Sequence, residues 1–109
     1  ASGSPSGSLL QNIVQNYTNM LDFGMPIHES TMRPRFGNAY AAGGAMFPAV
    51  EVDFPTATRD AANGRGLSVG VVNQWNWGMG SFEAIHIDPD SGLRTACGDP
   101  RRCAMAEAV

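Results

Sequence analysis

Six residues, Gly3-Ser4-Pro5-Ser6-Gly7-Ser8, run directly into an amphipathic pattern that begins at Leu9. Glycine and proline turn the backbone here, and the apolar spacing that follows is helical. The first N–H groups of a helix lack intrahelical partners and carry the positive end of its dipole. Such a turn is a ready anion site, for a bound phosphate or carboxylate or for the oxyanion of acyl transfer. The plainer role is a helix N-cap built from Ser6 or Ser8. Ser4 and Ser8 have no histidine or lysine near them in sequence to activate a serine nucleophile.

The remaining reactive side chains form no constellation. His28 and His86 lie far apart, and Glu83, Asp88, Asp90 and Asp99 are scattered rather than paired. Asp88 and Asp90 suit a turn, where short acidic side chains bond the local backbone. Cys97 and Cys103 are spaced for a small disulfide loop or for two separate thiols, and no histidine stands at zinc-ligand spacing from them. The sequence therefore calls for no metal and no cofactor. It contains no lysine, which excludes Schiff-base chemistry within the chain. A formal net charge of −3 offers no electrostatic case for nucleic acid or an anionic membrane as partner. No apolar run approaches membrane-spanning length.

The elements that must position these groups are legible in outline. Leu9, Leu10, Ile13, Val14, Tyr17, Met20 and Leu21 form a helical stripe, with Gln11, Asn12, Gln15, Asn16 and Asn19 opposite, and Gly24 stops the helix. A short helix follows from Pro26 to about Met32, then a small-residue loop over 37–44. Val50, Val52 and Phe54 alternate with Glu51 and Asp53, predicting a strand with one wet face. A weak helix over 56–62, with Thr56 as cap, leads to a strand over 67–72. Trp75 and Trp77, with Met79, pack as core or edge, or wall a pocket. Residues 82–87 and 93–96 form a hairpin about the turn 88–92. The composition is α/β or α+β, with antiparallel pairing near the C-terminus. The opening on Ala1-Ser2-Gly3, with almost nothing leading into the turn, predicts a piece of a larger protein.

Four collinear stretches resemble the gamma-glutamyltransferase (gamma-glutamyltranspeptidase) family. Gly3-Ser4-Pro5-Ser6-Gly7-Ser8 is similar to its Gly-Ser-Pro-Gly-Gly-Ser. Leu21-Asp22-Phe23-Gly24-Met25 with Arg33-Pro34-Arg35-Phe36 is similar to its Asp-Phe-Gly-Met and Ala-Pro-Arg-Phe. Glu83-Ala84-Ile85-His86-Ile87-Asp88 resembles its Glu-Ala-Ile-x-Ile-Asp, and Gly98-Asp99-Pro100-Arg101-Arg102 its Ser-Asp-Pro-Arg-Arg. The match is least clear over 38–76.

The resemblance implies an N-terminal-nucleophile hydrolase fold, an αββα sandwich, of which residues 1–109 would be the C-terminal segment of the small subunit. It implies cleavage of gamma-glutamyl amides of the glutathione type through an acyl-enzyme on an N-terminal threonine. No threonine of this chain stands in that context, so the chain alone is expected to be inert. Its partners would be the large subunit and the rest of the small subunit of one precursor, and the family's export implies a periplasmic or extracellular site. Carried over residue by residue, the backbone N–H groups of Ser6 and Gly7 would form the oxyanion hole, with Ser4 and Pro5 beside the substrate. Ser6 stands where the family has glycine, and a serine held at positive φ is strained. Asp99, Arg101 and Arg102 would pin the tail to the core. The alternatives are an amide hydrolase of the same family with another substrate, and a non-catalytic binding module.

Overall fold

The computed structural model describes residues 2–3 and 8–107, so Ser4, Pro5, Ser6 and Gly7 lie outside the described residues. Two three-stranded sheets are present. One has the order β1-β5-β6, from β1 (Ser2–Gly3), β5 (Phe82–Ile87) and β6 (Arg94–Cys97). The other has the order β2-β3-β4, from β2 (Phe36–Tyr40), β3 (Met46–Glu51) and β4 (Gly70–Val72). Helices α1 (Leu9–Leu21) and α2 (Ile27–Met32) precede the second sheet, and α3 (Thr56–Gly64) connects β3 to the parallel strand β4. This is the mixed α and β architecture expected, with the C-terminal hairpin paired from Ala84↔Cys97 to Ile87↔Arg94.

Helix α1 forms where the stripe predicts, and Gly24 follows it at φ +63°. Its orientation is the reverse of the usual one. Asn12 and Asn16 are buried, whereas Leu10 is 72% and Leu21 76% exposed. The polar face turns inward because its amides are needed there. Asn12 Nδ2 donates to the Ser81 carbonyl at 2.6 Å, and Asn16 Nδ2 to Asn12 Oδ1 at 2.8 Å. Ser30 Oγ of α2 then donates to Asn16 Oδ1 at 2.8 Å. Buried amides with partners cost little, while an apolar face left in water lacks its burial energy.

Three expectations change. The stretch expected as a loop over 37–44 instead begins with β2, paired antiparallel to β3 from Phe36↔Val50 to Tyr40↔Met46. Tertiary pairing overrides its weak strand propensity, and Gly43 and Gly44 make the turn at φ +88° and +84°. The strand over Val50, Val52 and Phe54 ends at Glu51, which is fully buried while Val52 is exposed. Finally, neither Ser8 nor Thr56 caps a helix with its side chain, and α3 begins after Pro55.

Asp88 does act as the turn residue, accepting from the N–H groups of Asp90 and Ser91 and from Ser91 Oγ. The Ser91 hydrogen bonds hold its carboxyl below the usual carboxylate range. A small core of Ala39, Ala49 and Met79, flanked by Phe47 and Val72, lies against the second sheet. Phe82 is fully buried in the first sheet and meets Tyr17 edge-on, with centroids 6.1 Å apart.

Candidate active-site cradle

The glycine turn is bracketed by two well-tied points. Before it, β1 pairs antiparallel with β5 through Ser2↔Glu83 and Gly3↔Phe82. After it, Ser8 Oγ donates to the Asn38 carbonyl at 2.7 Å and accepts from the Asn38 N–H at 2.6 Å. The Ser8 side chain thus serves the open edge of β2 rather than its own helix. Gly37 permits this, since a Cβ there would collide with Ser8 Oγ and Cβ. Farther along α1, the Gln15 amide makes the same two-way contact with Phe36, at 2.7 and 3.0 Å. Residue 15 beside 36 and residue 8 beside 38 fix the direction of the helix. Its N-terminal end points toward the Tyr40 end of β2.

Beneath this cradle lies a buried quartet of charges. Arg101 Nε and Nη2 form a fork on Glu51, at 2.8 and 2.5 Å. Arg101 Nη1 reaches Asp99 Oδ1 at 3.2 Å, and Arg35 Nη2 reaches Asp99 Oδ2 at 2.6 Å. Backbone groups complete the carboxylates. Glu51 also accepts from the N–H groups of Arg35 and Asn76, and Asp99 from those of Phe82 and Arg101. Each of the four carboxylate oxygens therefore holds two donors, leaving neither group free to take a proton from a substrate.

Arg101 is equally saturated. Its remaining two N–H groups go to the carbonyls of Thr31 and Arg33, both at 2.9 Å, so all five donors of the fork are used. Burial alone would lower its pKa, but the hydrogen bonds and charge of Glu51, with those of Asp99, outweigh it and raise the value. Arg35 goes the other way: burial and then the Arg101 charge lower its pKa, against the pull of Asp99. The quartet fastens the α2–β2 connection, the end of β3 and the C-terminal turn into one joint.

Arg102 stands apart from its neighbour. Its guanidinium lies over the Trp77 ring, 5.1 Å from the centroid, and its Nε is buried without a hydrogen-bond partner. Tyr40 stacks on Trp77 at 5.9 Å with planes 6° apart. Trp77 belongs to a 3-10 turn (Trp77–Met79) whose start is capped by Asn76, which accepts from the Gly78 N–H. His28 and His86 are exposed and separate. Both cysteines are free thiols, Cys97 half-buried and Cys103 exposed. Among the described residues no group of three or more His, Cys, Asp or Glu could hold a metal, and no helix is long and apolar enough to cross a membrane.

The family model for gamma-glutamyltranspeptidase matches residues 1–109. The chain belongs to that family. Over 100 residues it is 31% identical to the glutathione hydrolase proenzyme of Escherichia coli K12, covering 91% of this chain and 16% of that protein's length. It is similar to a solved acivicin-inhibited gamma-glutamyltranspeptidase, a protein whose C-terminus has critical roles in autoprocessing and catalysis. That likeness has a TM-score of 0.68 at 26% identity, over 92% of this chain and 52% of the other. A cephalosporin acylase from Bacillus halodurans aligns with a TM-score of 0.73 at 27% identity, over 91% of this chain and 18% of that one. The fold is accordingly that of N-terminal-nucleophile hydrolases.

Within this gamma-glutamyltranspeptidase frame, two of the four sequence motifs converge in space. Arg35 of the second motif meets Asp99 and Arg101 of the fourth. Glu51, which completes the quartet, comes from the stretch where the resemblance is weakest, and alternation assigned it to a wet face. One signal was present: a lone acid between Val50 and Val52, in a chain whose arginines outnumber nearby acids in both signature motifs.

Proposed function

We propose that residues 1–109 are the C-terminal segment of the small subunit of an enzyme that cleaves gamma-glutamyl amides and passes the acyl group to water or an amine. In this reading the nucleophile is an N-terminal threonine supplied by another part of the precursor. The N–H groups of Ser6 and Gly7 hold the developing oxyanion, with Ser4 and Pro5 beside the substrate. The observation that carries the reading is the cradle: both ends of the signature turn are tied, one to β5 and one to β2, at the junction of two sheets. Asp99 and Arg101 hold that junction from below. The segment alone is inert, because the cradle has no nucleophile of its own.

The exposed apolar residues support a larger assembly. Leu10, Val14 and Leu21 of α1 and Ile85, Ile87 and Leu93 of the hairpin are all exposed in this chain. Exposed apolar side chains in this number suit an interface, and the rest of the small subunit with the large subunit is the partner proposed. Another amide as substrate is the second reading, favoured by the likeness to the cephalosporin acylase and by serine at position 6.

Intact-mass and N-terminal analysis of the native assembly tests the proposal. A companion polypeptide beginning with threonine supports it, and a folded monomer of this chain alone overturns it. On the active assembly, Ser6→Pro removes one backbone donor and is expected to lower kcat roughly 10²–10³-fold, while Ser6→Gly retains activity. An unchanged kcat in Ser6→Pro would remove Ser6 from the oxyanion hole.

A further inference from the structure

Strands β3 and β4 run parallel, and α3 is the crossover that joins them. A crossover helix ordinarily lays an apolar stripe on the sheet it crosses. Helix α3 has no such stripe. Its largest apolar side chain is alanine, and none of its residues is buried. The space that larger side chains would fill is a cavity of about 300 Å³ between the helix and the second sheet.

The walls decide what that space accepts. Phe36, Pro48, Val50, Leu67 and Val69 line it from the sheet side, and Arg59 and Ala62 from the helix. Arg59 is neutralised by Asp60, to which Nε and Nη2 donate at 3.1 and 2.9 Å, leaving its aliphatic stem to the wall. At the helix end Asn63 Oδ1 accepts from the Val69 N–H at 2.8 Å. Among the described residues, the buried side-chain polar atoms without a partner are Nε of Arg35 and Nε of Arg102, and neither residue lines the cavity. Water needs several polar partners to be held in the interior, and these walls offer it almost none. Size is informative too. A cavity of roughly 150 Å³ with aliphatic and aromatic walls is enough for benzene, and this one is about twice that. Phe36 and Phe54, both wall residues, meet edge-on with centroids 6.0 Å apart. A further ring packs well against such a pair, by stacking or edge-on.

We infer that this cavity is a binding site for an uncharged aromatic molecule of one or two rings, seated between α3 and the second sheet against Phe36 and Phe54. The ligand takes the place of the apolar stripe that α3 lacks, and so stabilises the crossover. Leu67 and Phe36 are exposed, and the cavity opens to solvent beside them. A nine-residue helix with no side-chain cap and no buried residue opens readily, which gives the ligand a way in. Ser8 and Asn38 do not line this site, and the inference stands independently of the acyl-transfer reading.

The test uses the full-length protein with toluene as probe and benzoate as a charged ring of similar size. Toluene is expected to bind saturably and to raise the thermal midpoint. It should shift the methyl resonances of Val50, Leu67 and Val69 and leave those of Leu10 and Leu21 on α1 in place. Benzoate should bind at least roughly 10-fold more weakly, because its charge would enter a space that holds no partner for it. Ala62→Phe puts a ring into the cavity from the helix itself, so it should raise the midpoint without any probe and abolish toluene binding. Ala62→Ser, which leaves the volume almost unchanged, should retain it. Absence of saturable toluene binding to the unaltered protein overturns the inference. So does an affinity that Ala62→Phe leaves unchanged, or methyl shifts that miss the cavity. Should Ala62→Phe not fold, the methyl shifts in the unaltered protein decide alone. None of these readouts needs turnover, so they hold whether or not the enzyme cleaves a gamma-glutamyl amide.

Discussion

In Arg101 all five guanidinium donors end on protein acceptors, while in the next residue, Arg102, the guanidinium rests on an indole and Nε is left over. The two residues share one signature motif and one 3-10 turn (Pro100–Arg102). Sequence gives them identical chemistry, and the surroundings separate them. A saturated charge holds structure and has nothing to offer a ligand. An unspent donor alone does not separate the two cases, since Arg35 inside the quartet also keeps a buried Nε without a partner. Asp99 and Glu51 follow the first pattern, with every oxygen doubly occupied, so neither is free to act as an acid–base catalyst.

The largest expected effect comes from breaking the saturated side. Glu51→Leu removes two acceptors of Arg101 and the acceptor of two backbone N–H groups, leaving Asp99 as the one carboxylate between two buried arginines, and should destabilise the full-length protein by roughly 3–5 kcal/mol. Arg101→Lys keeps the charge but has three donors in place of five and no planar fork. It should lose a large part of the same stability, read as a fall in the thermal midpoint. Arg102→Gln, by contrast, should leave that midpoint nearly where it was. If Arg102→Gln unfolds the protein as Glu51→Leu does, the distinction between the two arginines collapses.

A smaller effect sharpens how the cradle is seated. Gly37→Ala drives a Cβ into Ser8, which must give up its two-way grip on Asn38. Overpacking of this kind typically costs about 1–3 kcal/mol, and it should lower activity beyond what the stability loss explains. Activity recovered by Gly37→Ala at low temperature would show that the grip on Asn38 does not position the turn.

The smallest effect lies far from the cradle, in the hairpin turn. Asp88 has a folded pKa below its unfolded value, chiefly through hydrogen bonds from Ser91. Its contribution to stability is therefore present above the unfolded carboxylate pKa and is lost as pH falls through the depressed folded value. Asp88→Asn should flatten that acid limb slightly, as pH-dependent melting would record.

Much of this architecture was legible in the residues. The helix over 9–21, the hairpin about Asp88 and the four signature stretches follow from local spacing and turn chemistry, because those signals act over a few residues. The family, too, was readable from its motifs. Local spacing drew the two faces of α1 but could not say what each one meets. Its amides point to Ser81 and Ser30, and Leu10 and Leu21 to solvent, because inside and outside are set by the neighbours a helix meets. Alternation likewise put Glu51 in water, when the strand ends there and the acid meets an arginine fifty residues on. The sequence by itself determined the elements, the turn chemistry and the family. Only the tertiary structure decided that Arg35, Glu51, Asp99 and Arg101 neutralise one another in the interior while Arg102 faces out over Trp77, because pairing of buried charges depends on distances that no spacing along the chain encodes.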